Sequence, residues 1–192
     1  NGKVSRCDAY VCNHVSWLDI LALQSILDIS FVAKSEVKRW PVFGFLAKIV
    51  DTIFVDRRAM AAKTQQVDLI RALKAGKSLC FFPEGTSTDG LQVLPFKSSL
   101  FEVFISFDKP NSPTTLVQPV SLIFSNSDLG NETSLGWWGD MNLVLHIFDV
   151  VASARSGRVE IIFEEPIDAK KIGDRKKLAF AVEKAIKKNF VN

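Results

Sequence analysis

Residues 79–90 read Leu-Cys-Phe-Phe-Pro-Glu-Gly-Thr-Ser-Thr-Asp-Gly. Leu79 to Phe82 is an unbroken apolar run, the pattern of a strand buried on both faces in a parallel sheet covered by helices. Pro83 ends it, and the glycines, hydroxyls and Asp89 beyond form a turn. Upstream the same rhythm repeats. Ala59 to Ala75 has helical period and stops at Gly76, as a C-terminal glycine dictates. Ile53 to Val55 is a short strand, and Pro41 opens a segment to Val50 with proline in a helix's first turn. Phe31 to Ala33 is a strand, Trp17 to Ile29 a helix with Leu18, Leu21, Leu23 and Ile26 largely on one side, and Ala9 to Cys12 the first strand. Downstream, Ser98 to Phe107 reads as helix, Leu116 to Phe124 and Val159 to Phe163 as strands, and Lys176 to Phe190 as a closing amphipathic helix. Strands separated by helices imply right-handed crossovers, so the fold class is α/β with a mostly parallel central sheet flanked by helices.

The 192 residues fit one domain spanning 1–192, and an apolar fraction of 47% with 23% charged residues excludes a disordered or fibrous chain. A net charge of +3 is too small to make nucleic acid the default partner. Cys7, Cys12 and Cys80 are odd in number and contain no Cys-x-x-Cys pair, which argues against a disulfide framework or zinc site and for a reducing compartment. The glycosylation triplet Asn131-Glu132-Thr133 carries little weight beside that. No stretch reaches the roughly 18 apolar residues of a spanning helix. The chain nevertheless begins at Asn1 rather than Met and has a mean hydropathy of +0.15, so a peripheral protein, or one lacking an N-terminal membrane segment, is expected.

In parallel sheets ligands gather beyond the carboxyl ends of the strands, which singles out the residues after Cys12, Val55 and Phe82. After Cys12 comes Asn13-His14-Val15-Ser16-Trp17-Leu18-Asp19. An imidazole accepts a proton near neutral pH, and a carboxylate on its other nitrogen would fix the tautomer and stabilise the imidazolium. Alternatively, Ser16-x-x-Asp19 is a capping box and His14 an ordinary loop residue. After Phe82, the Glu84-Gly85-Thr86 turn can aim backbone N–H groups at an anion; ordinary turn chemistry explains its glycines and hydroxyls but not Glu84. Lys97 adds positive charge nearby or is simply solvated. After Val55, Arg57 suits bidentate recognition of phosphate or carboxylate, whereas Arg58 reads as a solvated edge charge. Val117-Gln118-Pro119-Val120-Ser121 is apolar enough for sheet core.

In this order, the segments resemble the four blocks of the glycerolipid acyltransferases, the family of 1-acylglycerol-3-phosphate acyltransferase. His14-x4-Asp19 matches the first block, Phe54-Val55-Asp56-Arg57 the second, Phe82-Pro83-Glu84-Gly85-Thr86 the third and Val117 to Val120 the fourth. The resemblance implies transfer of an acyl group from acyl-CoA or acyl-carrier protein to a lysolipid hydroxyl at the cytoplasmic face of a membrane. His14 is then the base and Asp19 its orienter, while Arg57, Glu84, Gly85 and Thr86, with Lys97, bind the acceptor's head group. No cofactor is implied beyond the co-substrate, and His14 and His146 make no plausible metal cluster. One departure is Asp51, three residues before Phe54, where the family carries glycine; a carboxylate beside a phosphate site argues against a simple glycerol phosphate acceptor. Gly136-Trp137-Trp138-Gly139-Asp140-Met141 and Ser87-Thr88-Asp89-Gly90 resemble the bacterial branch that acylates lyso-ornithine lipid.

For membrane contact, Trp137, Trp138 and the run from Met141 to Phe148 are candidates for the headgroup layer, or else the indoles pack in the core. The lysines from Lys170 to Lys188 read as a solvated helix face rather than a lipid-binding one. No Gly-x-Ser-x-Gly elbow supplies a nucleophile. Two rival classes stay open: a thioesterase or hydrolase using His14 and Asp19 to activate water, and a non-catalytic lipid-binding module.

Overall fold

The computed structural model describes residues 2–36, 51–55, 63–109, 112–126, 135–153 and 157–190. The helix expected at Pro41 to Val50, the start of the one at Ala59, the pair Arg57 and Arg58, and the 131–133 triplet lie outside the described residues.

The strands are β1 (Ala9–Cys12), β2 (Ser30–Lys34), β3 (Ile53–Val55), β4 (Leu79–Phe81), β5 (Leu116–Asn126), β6 (Gly157–Phe163) and β7 (Ile167–Asp168). They join in the order β3-β2-β4-β1-β5-β6, with β7 also on β5. All pairs among β1 to β5 are parallel, and β6 and β7 run antiparallel to β5. The α/β fold with a mostly parallel central sheet is therefore as expected. The register matters most between β1 and β4, where Val11 lies opposite Phe81.

Alternation along the strands sends side chains to two cores. Ala9, Val11, Leu79, Phe81 and Val117 face helices α2 (Lys63–Lys74), α3 (Glu102–Ser106) and α6 (Arg175–Lys187). Tyr10, Cys12, Cys80 and Val120 face the other way, against Leu23 and Leu27 from α1 (Leu18–Gln24) and its exit. Gly76 takes φ +80° after α2, which only glycine adopts freely, and so stops the helix. Asp174 begins α6 by accepting the amides of Lys176 and Lys177 at 2.9 and 2.8 Å.

Two expectations about helices need correction. α1 ends at Gln24, short of Ile29, and its inward residues are Asp19 and Leu23, while Leu21 and Ile26 are exposed. The cause is Asp19: a carboxylate held inward sets the helical phase, so the residue four positions on follows it inside. The Ser98–Phe107 helix divides into a 3-10 turn, Ser98–Phe101, and α3. The run from Met141 is a helix, α4 (Leu143–Ser153), capped by Asn142, whose Oδ1 accepts the amides of Val144 and Leu145 at 3.0 and 3.2 Å. Short β7 and α5 (Ala169–Ile172) were not anticipated; Asp168 caps α5 through the Lys170 amide.

Four of the eight basic residues from Lys170 to Lys188 are matched to carboxylates of the same chain. Lys170 pairs with Asp108, Lys187 with Glu183, Lys188 with Glu164 and Arg175 with Glu102, which fits a solvated face. No helix among the described residues is long and apolar enough to cross a membrane.

Candidate active site

The β1–β4 register assembles the site. His14 lies three residues beyond Val11 and Glu84 three beyond Phe81, so two loops leaving neighbouring strands at their carboxyl ends run side by side. His14 Nδ1 meets Asp19 Oδ2 at 2.6 Å, and its ring stacks on Phe82 with centroids 4.2 Å apart. The carboxylate partner assigns the proton to Nδ1 and leaves the Nε2 lone pair for a substrate. The imidazole is 21% exposed while Asp19 is fully buried.

Asp19 Oδ2 also accepts the backbone amides of Val15 and Ser16 at 2.8 and 3.2 Å. The contact with Ser16 is half of a capping box. The reciprocal half is missing, because the buried Ser16 hydroxyl makes no hydrogen bond among the described residues and no side chain caps α1. Support of the Val15 and Ser16 amides and orientation of the histidine thus coexist on one oxygen.

The rest of the 13–16 loop is held from outside. Asn13 uses both polar atoms on the backbone of Leu122, accepting its amide at 2.7 Å and donating to its carbonyl at 2.9 Å. A side chain thereby continues the β1–β5 ladder where the backbone turns away. The His14 carbonyl accepts from the Thr88 amide at 2.9 Å, and the Val15 carbonyl from the Trp137 amide at 2.9 Å. Gly90, at φ +83°, lies against Val15; a Cβ there would come within 2.9 Å of the valine side chain. Trp17 donates its indole N–H to His146 Nδ1 at 3.1 Å, tying α4 to the start of α1.

Glu84 is 2% exposed. Its Oε1 accepts the His14 amide and its Oε2 the Leu94 amide, each at 2.7 Å. Burial pushes its carboxyl above the ordinary value, while the two amide bonds and the nearby His14 pull the other way. Gly85 occupies φ +81° and closes a turn onto the Phe82 carbonyl. Thr86 is exposed, and the amides of Thr86 and Ser87 have no protein acceptor among the described residues. The exposed Lys97 donates its backbone N–H to the Pro83 carbonyl, and its ammonium has no ion-pair partner among the described residues. His14, Glu84, Gly85 and Thr86 therefore come together on adjoining loops with Asp19 from the first turn of α1, and Lys97 is anchored to the same turn, whereas Arg57 is outside the described residues. Val117 to Val120 lie in β5, where buried Gln118 ties the Ser5 amide to the Lys3 and Glu164 carbonyls.

Asp51 is not beside this site. It precedes β3 at the sheet's amino-terminal edge, where it pairs with Lys77 and accepts from Ser30 Oγ at 2.6 Å, whereas His14 leaves the carboxyl-terminal edge. Its φ of +49° is left-handed, a region aspartate tolerates better than most residues, which explains how it stands where glycine was expected. The objection to a phosphate-bearing acceptor falls with this placement.

Sequence reasoning passed over Asn13, Thr88, Trp17 and His146. Each acts on a partner at least 74 positions away, so only the fold reveals them. Trp137 and Trp138 are partly buried, between the two alternatives expected for them, and the Trp137 indole donates to the Met141 carbonyl at 2.9 Å.

Residues 9–123 match the acyltransferase family. The chain is 41% identical, across 93% of its length, to 64% of the lyso-ornithine lipid O-acyltransferase of Rhodobacter capsulatus. It is 38% identical, across 92%, to 62% of the protein of the same name from Rhizobium meliloti. Against the 1-acyl-sn-glycerol-3-phosphate acyltransferase of Neisseria gonorrhoeae identity is 31%, covering 91% of this chain and 66% of that one. The fold matches the crystal structure of the 1-acyl-sn-glycerophosphate acyltransferase PlsC from Thermotoga maritima with a TM-score of 0.63 at 22% identity, covering 98% of this chain and 66% of that one. The chain thus spans somewhat under two thirds of the first two relatives.

Proposed function

The chain belongs to the acyltransferase family, and from that membership we propose that it moves a fatty acyl group from a thioester, acyl-CoA or acyl-carrier protein, to the hydroxyl of a lysolipid. The observation that carries the reading is the 2.6 Å contact between His14 Nδ1 and buried Asp19, on a ring that is still partly open to substrate.

In this reading His14 Nε2 takes the acceptor's hydroxyl proton as its oxygen attacks the thioester carbonyl. Asp19 holds the ring and stabilises the imidazolium. Collapse of the tetrahedral intermediate forms the ester and breaks the C–S bond, and the proton on Nε2 passes to the leaving sulfur. No covalent bond to the protein is needed. The unused amides of Thr86 and Ser87 and the Lys97 ammonium supply an anion-binding edge for an acceptor head group, to which Arg57 belongs by sequence. General-base assistance is worth roughly 10²–10⁴-fold, so positioning and charge stabilisation supply the rest.

Lyso-ornithine lipid is the sharper acceptor reading, supported by the names of the 41% and 38% identical relatives. The proposed place of work is the cytoplasmic face of a membrane. Supporting it, α4 is apolar nearly all round, with Val144, Leu145, Phe148 and Val151 exposed on its outer side and the opposite side joined to Trp17 through His146.

The test is acceptor-dependent CoA release from acyl-CoA with lyso-ornithine lipid and lysophosphatidic acid in mixed vesicles, wild type beside His14→Ala. Release that depends on a lysolipid and vanishes in the variant is expected. Fatty acid formed at the same rate without acceptor would support the hydrolase reading instead, and lipid binding without turnover the non-catalytic one.

A further inference from the structure

Resting on the acyl-transfer reading above, we infer that Glu84 is a positioning residue for His14 and not a ligand of the acceptor's head group. A head-group ligand must present an oxygen to the substrate. Glu84 is 2% exposed, and each of its oxygens already accepts a backbone amide at 2.7 Å. Those amides belong to different loops. One is that of His14, the residue whose ring accepts the proton; the other is that of Leu94, ten positions beyond Glu84 at the far end of the turn carrying Gly85, Thr86 and Ser87. The carboxylate therefore locks the backbone of the base to both ends of the 84–94 segment.

The residue type follows from this geometry. Two N–H donors need two acceptor oxygens, which an ionised carboxylate supplies and a glutamine does not: its amide nitrogen would face one donor with another. Aspartate is shorter by a methylene and cannot span the same gap. Glutamate at a strand's end, which turn chemistry left unexplained, is accounted for by the β1–β4 register, because only the third residue beyond Phe81 stands level with His14. Among the described residues the titratable groups that act on Glu84 are His14 and Asp19, so a single anionic bridge serves a ring that becomes cationic during turnover.

Glu84→Gln tests the role. A misplacement of about 1 Å at a reacting group costs on the order of 10²-fold, and the expected result is a kcat lower by roughly that factor, equal for lyso-ornithine lipid and lysophosphatidic acid, with each acceptor's KM within threefold. An acceptor KM raised tenfold or more at unchanged kcat, or a loss that differs tenfold between the two acceptors, overturns the inference. A second measurement uses the wild-type protein and is independent of turnover. In an acid titration followed by NMR, the amide protons of His14 and Leu94 move with one shared midpoint, above the ordinary glutamate value. Separate midpoints, or no movement of either amide, also overturn it. Failure of wild-type turnover with the shared midpoint intact would instead strike the acyl-transfer reading.

Discussion

Replacing Asp19 by asparagine keeps the side chain's volume and removes its charge. Because Oδ2 receives three donors, His14 Nδ1 and the amides of Val15 and Ser16, the asparagine must place its oxygen there and its NH₂ where Oδ1 stood. The tautomer of His14 survives this exchange, and the attraction between imidazolium and carboxylate does not. For charge centres about 4 Å apart at an effective dielectric of about 20, that attraction is about 4 kcal/mol, or roughly a 10³-fold loss in kcat. Oδ1 makes no hydrogen bond among the described residues, so the new NH₂ exchanges one unpartnered buried atom for another. The assay is CoA release under saturating acceptor, with thermal melting alongside. A variant that folds and retains kcat within tenfold of wild type would refute the electrostatic role of Asp19. One that loses 10⁴-fold or more would show that the tautomer had flipped instead, as in a protease triad carrying the equivalent amide.

Asp51→Asn is expected to leave kcat unchanged, since Asp51 lies at the far edge of the sheet; a tenfold loss would place it near the chemistry. Its hydrogen bonds from Lys77 and Ser30 hold the carboxyl below the ordinary 3.8, so the wild type's stability advantage over this variant is present above that pH and disappears as pH falls toward the folded value. The side chain is 61% exposed, which limits the advantage to about 1 kcal/mol or less by acid-titrated denaturation. Burial, then the neighbouring Asp8, pushes the Cys7 thiol up to about 11, and Cys12 is fully buried with its thiol well above the usual range. Both should resist alkylation at pH 8 until the protein unfolds, and rapid labelling of either in the native state, read by mass spectrometry, would contradict this packing. Phe148→Glu removes an exposed aromatic worth about 1.5–3 kcal/mol on burial, so vesicle co-sedimentation should weaken roughly tenfold or more. Undiminished binding would discard the outer face of α4 as the lipid contact.

Much of this architecture was readable because buried parallel strands announce themselves: Ala9–Cys12 and Ile53–Val55 lie where their apolar runs put them. What could not be read is register, and register decides the site. Nothing in the spacing of His14 and Glu84 says that one accepts the other's amide. Phase was equally hidden in α1, where a carboxylate with an internal obligation and Leu23 face inward while Leu21 and Ile26, expected on the same side as Leu23, are exposed. Asp51 misled for a related reason: a position near an arginine in sequence is distant from the site when a whole strand intervenes. In α4, an apolar run without obvious polar alternation concealed both its helix and the histidine that faces inward.

The Val15 carbonyl is capped by an amide 122 positions further along, that of Trp137, and Asn13 finishes its strand on Leu122. During synthesis, then, a nascent chain that already carries His14 and Asp19 still has an incompletely supported loop. At about 5–20 residues per second, roughly 6–24 s separate the arrival of Val15 from that of its partner. In that interval the 13–16 loop has its partners at Asp19, Glu84 and Thr88 but lacks those at Leu122 and Trp137, so its full set of backbone bonds waits on the sheet's later half.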